Sequence, residues 1–287
     1  MTDTPIRDVS DTAYWIAHHR ANESERPDAL FSDPLARRLA GDLGARIAHG
    51  LPAQRFIAWN VAVRTRIIDD FLARAIVQGA DTVLNLGAGL DTRPYRMPLP
   101  AALRWVEADQ AHIMAYKKEK LAGEQPHCQL DSVSLDLSDP EARRRMLAEV
   151  NSRSGKLLVL TEGLMPYLSE DEGSALARDL RALDHARWWI VDYVSRQALA
   201  YRERGGMAKK MQNAPFRFDP DDWEDFFRSR GWECRDMRFM PVEGERLGRP
   251  FPVPGIMRWV MRLAPEAKKK AFRELMGYAL MEPCQVR

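Results

Sequence analysis

The sequence predicts a doubly wound α/β fold, built on a mostly parallel sheet of seven strands with helical lid additions. Three observations indicate it. Strand-like apolar segments alternate with amphipathic helical segments, a Gly-Ala-Gly turn follows the first strand, and acidic residues end the second. The chain has 287 residues, of which 45% are hydrophobic and 29% charged, so it has ample apolar material for a core.

Seven segments are predicted to be strands. They are "DTVLNLGAG" (81–89), "LRWVEAD" (103–109), "DSVSLDL" (131–137), "GKLLVLTEG" (155–163), "ARWWIVDYV" (186–194), "WECRDMRFM" (232–240) and "GYALMEP" (277–283). Helices are predicted between them at 111–122, at 139–150 with Asp139 as its cap, at 169–183 with a Ser169–Glu172 capping box, and at 219–231, ended by Gly231.

The remaining segments are predicted to be additions to this sheet. Residues 1–55 are predicted to form an N-terminal helical lid, which includes a short helix capped by Ser32 or Asp33, with Pro34 in its first turn. Residues 56–287 are predicted to form the main, ligand-binding domain, and the strand–helix alternation breaks near 195–217 and 243–270. We expect these two stretches to be lid insertions over the strand ends.

The segment from Phe56 to Val77 has the periodicity of an amphipathic helix. Arg64 falls in the middle of its apolar face, whereas Arg66 falls on the opposite face, one turn before Asp70. An inward arginine needs an anion, because an unpaired buried charge is costly. That anion is either a ligand or a structural carboxylate, unless Arg64 extends its charge to solvent.

The turn at 87–89 indicates a ligand site at the carboxyl end of the first strand. Glycine lacks Cβ, so a ligand can approach the backbone there. The turn is not the dinucleotide-binding motif, because Thr92 stands where that motif has glycine or alanine and two prolines, Pro94 and Pro98, interrupt the following helix. These features predict a ligand without a pyrophosphate.

The second predicted strand supplies an acid at the distance that a ribose requires. Asp109 follows Gly89 by 20 residues, which is the spacing at which a carboxylate reaches a ribose hydroxyl. A nucleoside without a phosphate cradle matches S-adenosyl-L-methionine, whose adenosine carries a methionine arm with a sulfonium.

Four blocks in order, "LNLGAGLDTRPYR", "VEADQ" with "AYKKEKL", "SLDL" and "LVLTEGLMPYLSEDE", resemble the leucine carboxyl methyltransferase family, in particular its bacterial polyketide-type O-methyltransferases. "AVRTRIIDDFL" upstream matches as well, so the resemblance covers about Arg64 to Leu180. It implies a class I methyltransferase, Rossmann-like fold and S-adenosyl-L-methionine as cofactor, with S-adenosyl-L-homocysteine as the product.

The resemblance also implies roles for individual residues. Gly87, Ala88 and Gly89 line the methionine arm; Asp109, followed by Gln110, binds the ribose; Asp136 and Leu137 hold the adenine. Glu162 faces the amino group of the methionine moiety, and Arg64 pairs with the carboxylate of that same moiety. Tyr167 is the candidate for positioning the substrate.

Structural interpretations compete with several of these roles. Asp91 and Thr92 are typical turn-capping residues, and Asp136 could cap the turn before Asp139. Tyr167 could simply be packed in the core. Glu162 is the hardest to explain structurally, since a carboxylate at the end of a central strand needs a partner.

The predicted reaction is O-methylation of a small-molecule acceptor, with a carboxyl group as the first choice and a hydroxyl group of a natural product as the alternative. A carboxylate needs no base, whereas a hydroxyl usually does. Of the six histidines, His18 and His19 are the only candidates for a base, and surface positions are favoured for both. No residues have metal-ligand spacing, so no metal is expected. The predicted aromatic walls of the acceptor pocket are Trp15, Tyr167, Tyr201 and Phe216.

Composition limits the partners and the compartment. A net charge of +2 predicts neither a nucleic-acid nor a membrane partner. The three cysteines are far apart, which favours reduced thiols and a cytoplasmic protein. A nicotinamide-dependent oxidoreductase and a non-catalytic cofactor-binding domain are the competing functions. The acceptor, the use of a base, the closing lid segment and the oligomeric state are left open.

Overall fold

A computed structural model describes residues 6–204, 210–256, 261 and 263–284. The strands are β1 (Thr82–Leu86), β2 (Arg104–Asp109), β3 (Gln129–Ser134), β4 (Leu157–Thr161), β5 (Ala186–Val194), β6 (Trp232–Phe239) and β7 (Met276–Pro283). The helices are α1 (Asp11–Ser24), α2 (Ala36–Gly50), α3 (Gln54–Val77), α4 (Arg93–Arg96), α5 (Ala111–Lys120), α6 (Pro140–Ser152), α7 (Glu170–Arg181), α8 (Arg196–Arg204), α9 (Trp223–Arg228), α10 (Met240–Arg246) and α11 (Glu266–Arg273). A 3₁₀ turn spans Met165–Tyr167.

The strands form one seven-stranded sheet in the order β3-β2-β1-β4-β5-β7-β6. The first five strands in sequence are parallel, whereas β7 runs antiparallel between β5 and β6. This confirms the predicted doubly wound, mostly parallel sheet. The strand order reverses between β1 and β4, which is where such sheets leave a crevice for a ligand.

The two central strands are buried on both faces because helices cover both sides of the sheet. Along β1, Leu84 and Leu86 face a core formed with α6, α7 and α9, whereas Val83 faces the core formed with α3. All five residues of β1 and all five of β4 are buried, as expected for central parallel strands.

Helix caps agree with the predicted starts. Asp139 accepts backbone N–H bonds from Glu141 and Ala142, and Ser169 and Glu172 form the capping box of α7. Ahead of α2, Asp33 rather than Ser32 accepts the N–H of Ala36, at 3.1 Å. These side chains satisfy N–H groups that have no partner within the helix.

Two of the predicted strands end three residues earlier than the sequence pattern suggests. β1 ends at Leu86 and β3 at Ser134. Gly87 and Gly89 have φ angles of +70° and +50°, which turn the chain away from the sheet. After β3, the Asp136 carboxylate accepts the N–H and hydroxyl of Ser138 at 2.9 and 2.7 Å, which forms a turn.

The N-terminal helices lie against part of the first predicted insertion. Ile6, Trp15, Ile47, Met211 and Ala214 share one apolar cluster, with Tyr167 packed against it. Residues 205–209 of the 195–217 segment, and 257–260 and 262 of the 243–270 segment, lie outside the described residues. The lid role of these segments stays a prediction. Within the described ranges, no helix combines the length and apolar character that crossing a bilayer requires.

Candidate active site

A cavity of about 1190 Å³ opens at the carboxyl ends of the parallel strands. The residues predicted as cofactor or substrate contacts all line it, although they come from six separate segments. They are Arg64, Gly87, Ala88, Gly89, Asp109, Gln110, Asp136, Leu137, Glu162 and Tyr167. The fold therefore brings the whole predicted set to one place, while each binding role stays a prediction.

The glycine turn is linked directly to the acid that follows β2. The Gly89 N–H donates to Asp109 Oδ2 at 2.6 Å, and the Gln110 N–H donates to Asp109 Oδ1 at 2.7 Å. Each carboxylate oxygen can accept a further bond. The turn thus holds Asp109 beside the cavity with acceptor capacity left for a hydroxyl group.

Arg64 and Glu162 form an ion pair in the cavity wall. Arg64 Nε lies 3.0 Å from Glu162 Oε1, and each side chain is 14% exposed. The buried Nε has no aligned hydrogen-bond acceptor among the described residues, so the ion pair leaves a donor of the guanidinium unused. Sequence reasoning left a ligand or a structural carboxylate as the anion, and the structure shows a carboxylate that itself lines the ligand cavity.

Arg93 holds Glu162 from the other side and joins it to two more acids. Its Nη1 donates to Glu162 and Asp91 at 2.7 and 2.8 Å, and its Nε donates to Asp69 at 2.7 Å. Burial alone would raise the pKa of Glu162, but Arg93 and then Arg64 outweigh it and keep that pKa below its usual value. Glu162 is therefore ionised, as contact with an ammonium group requires.

Sequence reasoning did not identify Arg93, whose side chain is 1% exposed. The available signal was the polar run "DTRPYR" directly after the glycine turn, because charged residues at that point must find partners near the strand ends. Asp91 does cap a turn, since it accepts the Arg93 N–H at 2.9 Å, but its other oxygen also accepts from Asn85 at 2.9 Å. The turn interpretation therefore covers only part of its role.

A buried cluster of Arg20, Asp33 and Thr92 links the N-terminal helices to the loop that follows the glycine turn. Thr92 Oγ1 donates to Asp33 Oδ2 at 2.6 Å, and Arg20 Nε lies 3.1 Å from the same oxygen. Arg20 also donates to the carbonyl of Leu90. Hydrogen bonds and an ion pair thus link the described part of segment 1–55 to the loop that follows the predicted cofactor contacts at 87–89.

Aromatic residues form part of the cavity wall. Trp15, Tyr167, Tyr201 and Phe216 all line it, although Tyr201 is 58% exposed. The Tyr167 and Phe216 rings meet edge to face, with centroids 5.2 Å apart. Neither His18 nor His19 lines the cavity. His19 is buried rather than at the surface, and burial lowers its pKa to about 4.

Solved structures of low sequence identity share this fold. A methyltransferase-like protein from Thermobifida fusca superposes with a TM-score of 0.58 at 15% identity, covering 99% of this chain and 97% of the other. A DUF574 family protein from Streptomyces avermitilis gives 0.55 at 16% identity, covering 94% and 97%. The fold is that of the class I, Rossmann-like methyltransferases.

Sequence comparison identifies the family within that class. The sequence model of the leucine carboxyl methyltransferase family matches residues 13–181, and the chain belongs to this family. A relative from Parafrankia sp. (strain EAN1pec), whose name marks it as an inferred S-adenosyl-L-methionine-dependent methyltransferase, is 32% identical over 85% of this chain and 83% of its own length. A similarly named protein from Mycobacterium sp. (strain KMS) is 31% identical over 91% and 95%. The protein is therefore an S-adenosyl-L-methionine-dependent methyltransferase.

Proposed function

We propose that the protein transfers the methyl group to an oxygen atom of a small, largely apolar acceptor. The supporting observation is that one cavity contains both the predicted cofactor contacts and an apolar chamber, which we define as the walls formed by Phe56, Met240, Phe251, Phe272 and Met276. The volume of the whole cavity, about 1190 Å³, exceeds the roughly 300–1,000 Å³ of a pocket for one ligand. Cofactor and acceptor would therefore fit side by side.

The charges at the polar end suit the methionine moiety of the cofactor. Arg64 has an unused buried donor for a carboxylate, and Glu162 is an ionised acceptor for an ammonium group. Asp109 would hold the ribose, and Asp136 and Leu137 the adenine. In this assignment Arg64 would pair with the carboxylate of the methionine moiety and Glu162 with its ammonium group.

When bound, the cofactor supplies an electrophilic methyl group on a sulfonium, so the chain mainly needs to position and shield the acceptor. The apolar chamber would hold the acceptor body, and Tyr167 and Phe216 would border the reacting oxygen. Excluding water and aligning the oxygen with the methyl group lower the entropic part of the barrier.

The reacting oxygen would belong to a carboxyl group, as the sequence resemblance predicts, or to a hydroxyl group. The second candidate is favoured by a buried acid in the cavity wall, Asp192. We further propose that the partner is a small molecule and that the protein acts on neither nucleic acid nor membranes. The net charge of +2 supports this view.

Calorimetry and a methyl-transfer assay test the proposal together. We expect S-adenosyl-L-methionine to bind and NAD to show no heat of binding, and we expect labelled methyl groups to reach apolar carboxylic acids or phenols. A tight NAD complex without S-adenosyl-L-methionine binding would support the oxidoreductase alternative. Cofactor binding without transfer to any acceptor of either kind would support a non-catalytic domain.

A further inference from the structure

Asp192 and Tyr278 form a polar pair in the cavity wall that the cofactor assignment does not use. Asp192 on β5 is the direct cross-strand neighbour of Tyr278 on β7, so both side chains lie on the same face of the sheet, and both line the cavity. Burial raises the pKa of the Tyr278 hydroxyl well above its usual value, so it keeps its proton and faces the Asp192 carboxylate as a neutral group. The Gly163 N–H also donates to this carboxylate, at 3.0 and 3.1 Å from its two oxygens.

The Asp192–Tyr278 pair lies between the predicted cofactor contacts and the apolar chamber. Gly163 directly follows Glu162, the predicted contact for the amino group of the methionine moiety. Residues that flank Tyr278 and Asp192 on their own strands, Met276 and Tyr193, line the cavity as well. A group bound beside Asp192 would thus adjoin the methionine arm on one side and the apolar chamber on the other.

Asp192 differs from the other buried acids of the site in its partners. Asp91 and Glu162 each receive a hydrogen bond from the Arg93 guanidinium. Asp192 is only 6% exposed. Over the described part of the chain, however, no arginine, lysine or histidine nitrogen lies within 4 Å of its carboxylate, whereas Glu162 has such a partner in Arg64. A carboxylate buried without a close cation is costly and is a mark of functional sites.

The charged and titratable groups around Asp192 come from four elements. Arg64 on α3 attracts the carboxylate, Glu162 after β4 repels it, and Tyr278 on β7 lowers its pKa. Tyr167 of the 3₁₀ turn also faces it. Burial is the largest influence and raises the pKa of Asp192 to about 6. A carboxylate with that pKa is a stronger base than an exposed aspartate and is still largely ionised at neutral pH.

We propose that Asp192, oriented by Tyr278, is the general base that takes the proton of a hydroxyl acceptor, so that the substrate class is an apolar phenol or alcohol rather than a carboxylic acid. The inference rests on the proposed O-methyltransferase function. As the acceptor oxygen bonds to the methyl carbon, the carbon–sulfur bond breaks with its electron pair going to sulfur. The hydroxyl proton passes to the Asp192 carboxylate and then to solvent. A carboxylate acceptor needs no such base and would be repelled by two nearby anions, Asp192 and Glu162.

Three probes of similar shape test this: para-phenylphenol, its ortho-nitro derivative, which is already ionised at mildly alkaline pH, and biphenyl carboxylic acid. We expect the wild-type protein to methylate both phenols in preference to the acid. Asp192→Asn should lower kcat for para-phenylphenol about 10²- to 10⁴-fold, with a much smaller loss for the ionised nitrophenol. Asp192→Glu should restore part of the activity.

The pH profile supplies a readout that packing alone would not move. For para-phenylphenol, wild-type kcat should rise through an acid limb near pH 6, the pKa of Asp192, because the base must be ionised. The Tyr278 hydroxyl lowers the pKa of Asp192, so Tyr278→Phe should move that limb to higher pH. Cofactor binding, measured by calorimetry, should be close to wild type in both Asp192→Asn and Tyr278→Phe.

The outcomes separate this inference from the proposed function. Equal loss of kcat in Asp192→Asn for both phenols, with an unmoved pH limb in Tyr278→Phe, would make Asp192 a structural residue and overturn the inference. Methylation of the carboxylic acid alone would also overturn it but would leave the O-methyltransferase function standing. Intact cofactor binding with no transfer to any of the three probes would count against the proposed function itself.

Discussion

The two ends of the cavity are built in opposite ways. At the cofactor end, Arg93 and Arg64 bind Glu162 between them, and Arg93 also binds Asp69 and Asp91. At the acceptor end, the apolar chamber contains few polar groups. One of them, Asn60, has its amide nitrogen 3.4 Å from the sulfur of Met276 and 3.7 Å from that of Met240.

This difference indicates that preformed ion pairs suit the cofactor end, where the same ligand binds in every turnover. A zwitterionic methionine moiety presents the same charges in every turnover, so a preformed set of paired charges can match it. An apolar chamber with soft methionine side chains instead adapts to the shape of its ligand. The stability of the fold should therefore depend strongly on the first region and weakly on the polar groups of the second.

The largest effect is expected at Arg93, which is the shared cation of the charged end. Arg93→Met leaves Asp91 without its arginine and weakens the pairing of Asp69 and Glu162 inside the protein. Removing one partner of a buried ionic group typically costs about 3–5 kcal/mol, and we expect a loss of that size in the free energy of unfolding, measured by urea denaturation. Arg66→Met is the matched control, since Arg66 is 44% exposed and, among the residues that the structure describes, pairs only with Asp70. The loss in this control should be within about 0.5 kcal/mol. Equal losses would contradict the comparison.

Cofactor affinity should depend on Arg64 and not on Arg66, although the two arginines lie on the same helix. Arg64→Ala removes the predicted partner of the cofactor carboxylate, and truncating one member of a buried charge pair costs roughly 2 kcal/mol or more in binding. We expect the Kd for S-adenosyl-L-methionine, measured by calorimetry, to rise about 30-fold or more. Arg66→Ala should leave it unchanged, because the Arg66–Asp70 pair lies at the surface. Equal effects of the two variants would refute the role of Arg64.

Acid should weaken the charged end of the cavity. The pKa values of Asp91 and Glu162 are lower in the folded protein than their usual values, because Arg93 outweighs the effect of burial. Folding therefore favours their ionised forms, and the stability they contribute is present above about pH 4.5 and is lost as the pH falls further. Urea denaturation at a series of pH values should show this decline, with a shallower slope in Arg93→Met. An identical slope in that variant would mean that other acids cause the decline.

The charged end could largely be predicted from the sequence because its residues lie in short blocks at strand ends. Arg64, Asp109 and Glu162 each follow from a local pattern: an inward position on a helix, a spacing from the glycine turn, and the end of a buried strand. What the local patterns do not contain is the pairing between blocks. Arg93 was missed because its three acid partners come from α3, the glycine turn and the end of β4.

The acceptor end could not be predicted in the same way. Asp192 and Tyr278 are 86 positions apart in the chain and meet only because β7 inserts antiparallel beside β5. The four aromatic residues predicted for the acceptor pocket do line the cavity. In a sequence, however, an aromatic residue is equally consistent with core packing. Histidine was considered as a base from residue type alone, whereas burial makes an aspartate the candidate.

The smallest effect is expected at Asn60, which provides the strictest comparison with Arg93. Its amide nitrogen contacts two thioether sulfurs, which are weak acceptors, so the side chain gains little from its neighbours. Asn60→Leu replaces it with an apolar group of similar size, and the free energy of unfolding should change by less than about 1 kcal/mol. Urea denaturation alongside Arg93→Met provides the measurement. A loss of about 3 kcal/mol or more would show that polar groups at the acceptor end also hold the fold, and the contrast between the two ends would then fail.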